Sequence, residues 1–340
     1  SFGSKIIANE FFKLSIPMIL QDEEKFLSDI EIPKYHSAQI KDSEDDMSGM
    51  IFSNLKLNAL ENKRVWWTNL YDIDISNSEI SNNDFRLSNI YDANFKSSTL
   101  RDTQIVRGLV NNTDFSNASL TNVKFSTSNI VNSDFSDSVL DNIENYGTVY
   151  QQNDFTNSVI KNTLFKRTML FNNDFSETKF ENVIMDSVIL AGSDFSGIDF
   201  SSINLKEGTD FTAKMGLGPD LLTKGAILHN SDFRNSDLKD IFFSVLIVDE
   251  NISENVKIQL QIYREEFAVD ASNANFSNLD LSNKNFIGVN LQFADLSNTN
   301  LSNVDFRYAN LNGANLEGAN LEGANLEGAS MKCINHTICE

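Results

Sequence analysis

The sequence predicts an all-β solenoid with four-sided coils, preceded by a partly helical non-repeat segment and interrupted by two insertions. Three observations carry this expectation. From Leu55 to Leu205 an apolar residue returns at every fifth position and fails once, at Asn145. Two residues before each centre, from Thr68 to Ser193, stands a small or β-branched residue and never a charge. The blocks YDANF, NNTDF, VNSDF, QQNDF, FNNDF and AGSDF, ending at 95, 115, 135, 155, 175 and 195, recur every twenty residues. A period of five fits neither the 3.6 of a helix nor the 2 of a strand. Twenty is four fives, so the economical geometry is a coil with one pentapeptide per side. Neighbouring coils would stack at the strand spacing of about 4.8 Å. The centre and the residue two before it point inward, and the other three point out.

In chain order, residues 1–50 show no five-step register. Ile7, Phe11 and Leu14 fall on one helical face there, so the segment reads as a cap on the open end of the solenoid or as a docking module. Residues 51–205 form the main solenoid. Residues 206–227 form a Gly-containing insertion whose GLGPD lacks the GK[ST] ending of a phosphate loop. One coil returns over 228–248. Residues 249–273 form a second insertion that alternates at Ile258, Leu260 and Ile262 yet also spaces Val256, Leu260, Tyr263 and Phe267 for a helix. The five-step pattern resumes over 274–331, with twelve apolar centres from Phe276 to Met331, and residues 332–340 form a tail. Lys284 falls at an inward position and is expected to snorkel or to disrupt its coil. Phe at alternate centres between 85 and 175 predicts rings that meet across the axis, and sixteen of the 26 Phe residues are centres.

The pattern resembles the pentapeptide-repeat family, with consensus A(D/N)LXX, most closely in ANLEG at 314–318, 319–323 and 324–328. The resemblance covers roughly 55–205, 228–248 and 276–331. It implies a right-handed quadrilateral β-helix. It also implies two functional settings. Some members resemble duplex DNA in charge and shape and bind type II topoisomerases, and those of the quinolone-resistance group carry projecting loops. Others are bacterial effectors, or domains of effectors, that bind host proteins. The corresponding compartments are the bacterial cytoplasm and the interior of a host cell.

Charge and composition narrow the function further. The chain has 340 residues, 27 Lys and Arg against 48 Asp and Glu, and a net charge of −21. That argues against direct nucleic-acid binding and against a polybasic membrane anchor. No run of eighteen apolar residues suggests a transmembrane helix. The opening apolar stretch is broken by Asn9, Glu10 and Lys13, so no secretory leader is expected. His36, His229 and His336 lack a nucleophile motif beside them, and no catalytic residue or cofactor is expected. Cys333, His336 and Cys339 offer three soft ligands where structural zinc wants four, so a capping tail is favoured over a metal site.

Two surface features remain as candidates. Asp114, Asp134, Asp154, Asp174 and Asp194 recur one coil apart at an outward position. They form an acidic ladder that serves either recognition or the local turns, since Asn94 holds the equivalent place one coil earlier. Val149, Met169 and Ile189 precede centres on one side, and Leu164 and Ile184 precede centres on the adjoining side, with Leu109 and Phe171 nearby. Stacked outward apolar residues predict an interface with a protein partner, a host protein or a topoisomerase, or with a second copy of the chain. The N-terminal segment or an insertion covering them is the alternative.

Overall fold

The structure is a computed structural model, and it describes residues 51–53, 59–212, 226–228, 231–238, 241, 243 and 268–339. Three-residue strands pair in parallel with the strand twenty residues on, as in Val139–Asp141 beside Val159–Lys161. They build two seven-stranded sheets and one four-stranded sheet. Face I carries the strands from Ala59–Glu61 to Lys179–Glu181, and face II those at Glu144–Tyr146, Leu164–Lys166, Val183–Asp186 and Ile203–Leu205. Face III runs from Ile51–Ser53 to Met169–Phe171. Face IV is held by single bridges. The fold is thus an all-β parallel solenoid with one pentapeptide to a side.

Inside and outside alternate as the register requires. The centres from Leu60 to Leu205 are buried throughout, and so from Thr68 on are the residues two before them. The inward hydroxyls are satisfied by backbone. Ser128 Oγ donates to the Ile105 carbonyl at 2.7 Å, Thr148 Oγ1 to Phe125 at 2.8 Å, and Thr168 Oγ1 to Asn145 at 2.9 Å. Each such bond ties a corner to the coil before it, where the strands themselves have stopped pairing. Two residues after most centres the backbone turns left-handed, at Asn77 with φ 54° and Asn82 with φ 55° for example. Asn and Asp tolerate that region better than other non-glycine residues, which explains their density in this sequence. Ser138 N–H donates to the Phe135 carbonyl at 3.3 Å, closing a type II turn around Asp137.

The aromatic packing corrects one sequence expectation. Phe95, Phe115, Phe135, Phe155, Phe175 and Phe195 lie twenty residues apart, so they share face IV and stack along the axis. Their successive centroid distances are 4.9, 4.8, 4.9, 4.7 and 4.8 Å. Contact across the axis is secondary, as between Phe125 and Phe135 at 6.5 Å. Stacking along a face repeats every coil, whereas a ring on the opposite face must reach across the whole column.

An unbroken ladder of bridges on face IV links Asp74 to Asn94, Asp114, Asp134, Asp154, Asp174, Asp194, Ile227, Asp270, Asn290, Asn310 and Ser330. The ladder passes both interruptions. Asp210 bridges Ile189 and Ile227 bridges Asp194, so both ends of 206–227 lie in the coil. Asp270 belongs to it as well. Lys284 leaves its coil intact and donates Nζ to the Ile241 carbonyl at 3.2 Å. The GLGPD stretch, His36, His229, the alternating residues of 249–267 and all of 1–50 lie outside the described residues. At about 4.8 Å per coil the ladder spans about 53 Å. Small-angle scattering should therefore report an elongated particle, and a compact sphere would contradict the stacking.

Candidate functional site: two adjoining faces of the coil

The site is built by the register. Face III places Leu109, Asn129, Val149, Met169 and Ile189 in one outward column, successive residues pairing in parallel. Phe171 stands on the same face, on the far side of its strand from Met169. Leu164 pairs with Ile184 on face II. The seven apolar residues singled out in the sequence thus lie on two adjoining faces, with Asn129 between Leu109 and Val149 in the column. Leu164 is 38% exposed, and the other six are half-buried.

Two residues that the sequence reading passed over stand in the middle of this surface. Tyr146, 42% exposed, and Arg167 share the corner between faces II and III. Arg167 Nη1 donates to the Tyr146 hydroxyl at 3.1 Å, and its guanidinium lies 5.9 Å from the ring centroid. Tyrosine, arginine and methionine are the side chains that protein interfaces favour. Beside them Lys166 Nζ pairs with Asp186 at 2.9 Å. That hydrogen bond holds the Asp186 carboxyl below its ordinary range, so its negative charge persists to lower pH.

Face IV carries the acidic ladder. Each aspartate turns its Oδ1 to the backbone N–H two residues on. Ser116, Ser136 and Thr156 donate at 2.8 Å, Ser176 at 2.9 Å and Ser196 at 2.8 Å. Lys96 N–H makes the same bond to Asn94 at 3.0 Å. The turn therefore needs a side-chain oxygen but no charge. The negative charge on five successive coils is left without a local structural task.

The outward side chains segregate by face. Between Leu109 and Gly192, face III carries no charged residue at its outward positions. Face IV between Asp114 and Gly197 carries the ladder together with Asp137 and Glu177, and no cation. Face II between Gln104 and Ser187 carries Arg107, Lys124, Lys166 and Arg167 against Glu144 and Asp186. A hollow of about 390 Å³ is lined by Asp102, Asn122, Asn142 and the Lys124–Glu144 ion pair among others, and Glu144 pairs in register with Leu164 of the apolar surface.

The tail offers no metal site. Cys333 and Cys339 are joined in a disulfide, and His336 Nδ1 accepts from the Ile338 N–H at 3.3 Å. Among the described residues no group of three or more His, Cys, Asp and Glu is arranged to hold a metal ion. Among the same residues no helix is long and apolar enough to cross a membrane.

Residues 109–142, 268–303 and 299–332 match the family model described as pentapeptide repeats, in eight copies. No curated protein matches the chain in sequence. Among solved structures the chain is similar to HetL, a pentapeptide repeat protein involved in heterocyst differentiation regulation from the cyanobacterium Nostoc sp. strain PCC 7120. The identity is 18%, over 82% of this chain and 90% of that one, with a TM-score of 0.32. It is also similar to trypsin-treated QnrB1, a plasmid-mediated fluoroquinolone resistance protein, at 17% identity over 65% and 98% of the two chains, with a TM-score of 0.31.

Proposed function

We propose that this chain is a pentapeptide-repeat protein and a non-enzymatic solenoid that works by presenting its outward faces to a protein partner. The observation that carries the reading is the segregation of side chains. Over the five coils from Leu109 to Gly197, an uncharged, partly apolar face adjoins a purely acidic one in a chain of net charge −21. Ordinary solvation is met by amides and hydroxyls as well as by charge, and it gives no reason to stack apolar side chains on one face and to exclude cations from the next. The partner contacts would come from Leu109, Val149, Leu164, Met169, Phe171, Ile184 and Ile189. A bacterial effector or effector domain acting on a host protein is the setting that an apolar contact surface favours.

A second reading is favoured by the ladder. Asp114, Asp134, Asp154, Asp174 and Asp194 form a column of like charge, so the chain could mimic duplex DNA toward a type II topoisomerase. DNA carries one charge per about 1.7 Å of axis, whereas the ladder repeats at about 4.8 Å. Mimicry therefore requires Asp137, Glu177 and further carboxylates to contribute.

One set of variants separates the two readings. Replacing the five ladder aspartates by Asn keeps the turn acceptors, as Asn94 does already, so folding should be unchanged. Under mimicry that variant loses its effect on gyrase supercoiling, and wild-type binding weakens steeply between low and physiological salt. Under the apolar reading partner capture from bacterial or host lysate is insensitive to salt and survives the five changes. Capture is then lost in Met169→Glu, which should melt within a few degrees of wild type. A sharp drop in the melting temperature of Met169→Glu would instead mean that the apolar faces are covered within the chain and belong to its core.

A further inference from the structure

We infer that face III is where a second copy of this chain packs, side by side, with both rods pointing the same way. The inference rests on the protein-binding reading and names the occupant of its apolar face. An interface between identical copies related by a two-fold axis must be complementary to itself. Face III meets that condition in composition, since from Leu109 to Gly192 its outward positions hold only apolar, amide and glycine residues. Sheets packed face to face lie about 10 Å apart, a gap that Val149, Met169, Phe171 and Ile189 would fill from both sides.

The flanking faces decide the direction. Face II on one side of face III is richer in cations than in anions, and face IV on the other side is acidic throughout the same coils. Four-sided rods can meet through one face in two symmetric ways. With the axis running across the rods, the copies are antiparallel, and the acidic ladder of one lies beside the acidic ladder of the other. With the axis running along the rods, the copies are parallel, and face II of each lies beside face IV of the other. Like-charge juxtaposition at an interface opposes binding and opposite charge favours it, so the parallel arrangement wins.

A two-fold axis along the rods also preserves height, so residues of one coil meet residues of the same coil. Arg167, on the corner between faces II and III, then stands opposite the corner between faces III and IV of the second copy. The acidic side chain at that level is Asp174, two residues beyond Asn172. Arg107 stands in the same relation to Asp114, three coils below.

Sedimentation equilibrium of the full chain at physiological salt should report a dimer. Arg167→Asp and Asp174→Arg should each weaken association by about tenfold or more. Combining both changes in one chain should restore it, because both edges again pair opposite charges. Damage to the turn at position 174 would not be repaired by a change at 167, so restoration is the decisive readout. Met169→Glu should give monomers. The proposal is overturned if the wild-type chain is monomeric, if the single reversals dimerise as wild type does, or if the double reversal is no better than the singles. A monomeric wild type would leave the binding of another protein standing, to be judged by the supercoiling and capture assays.

Discussion

Ser133→Asp is expected to lower the melting temperature steeply, while Ser136→Asp, three residues on, melts close to wild type. Ser133 is 2% exposed. Its hydroxyl donates to the Val131 carbonyl at 3.0 Å and accepts from the Thr113 N–H at 3.2 Å. Its own N–H donates to Asn153 Oδ1 at 2.9 Å, and that amide passes the pattern on through Asn173 to Ser193. An ionised carboxylate at 133 retains an acceptor for Thr113 but has no proton for Val131, and it places its charge among buried rings. Burial of an unpaired charge costs several kcal/mol or forces protonation. Ser136 points outward and is half-buried, and its N–H bond to Asp134 involves only backbone on its side. The gap between the variants should narrow as pH falls through the carboxylate range, since a protonated side chain has no charge to bury. Equal melting temperatures at neutral pH would mean that the inward position has been misassigned.

The same pair of residues shows why the fold was legible in sequence. Ser133 and Ser136 are chemically identical, and only their distance from Phe135 separates inside from outside. A strict five-step register transmits that distinction along the whole solenoid, so the centres could be read from spacing alone. The corners could not be read that way. Asn77, Asn82 and their equivalents look like ordinary polar surface until the positive φ shows what the backbone demands of them. The apolar residues of the candidate site were visible because all but Phe171 precede a centre, and Phe171 follows one directly. Tyr146 and Arg167 follow a centre by one and two residues and are not aliphatic, so the stacking of apolar residues does not mark them, although the corner brings the two together. The segregation of charge was hidden for a related reason, because residues of one face are scattered twenty apart in the chain. The Cys333–Cys339 disulfide carried the weakest signal, two cysteines in a tail beyond the last repeat.

Asn145, the single centre that is not apolar, supplies the second test. It is 1% exposed, as is Tyr150, and the Tyr150 hydroxyl donates to Asn145 Oδ1 at 2.6 Å. The tyrosine ring meets Phe125, Phe155 and Phe165 with centroids 6.3, 5.8 and 6.5 Å away. Burial pushes the phenol well above its ordinary range, so the hydroxyl remains a neutral donor at physiological pH. Because the folded chain resists this ionisation and the unfolded chain does not, stability should begin to fall only above about pH 10. Tyr150→Phe leaves the Asn145 amide oxygen buried without this donor, and Asn145→Leu leaves the hydroxyl buried without this acceptor. Each single change should cost about 1–3 kcal/mol, the penalty of an orphaned polar group. Replacing both partners by apolar side chains removes the orphan, so Asn145→Leu combined with Tyr150→Phe should be more stable than either single variant. Denaturant unfolding of the four proteins gives the coupling directly. If the double variant lost the sum of the single losses, the hydrogen bond would not be what makes a polar centre tolerable, and the space available to the two side chains would have to explain it instead.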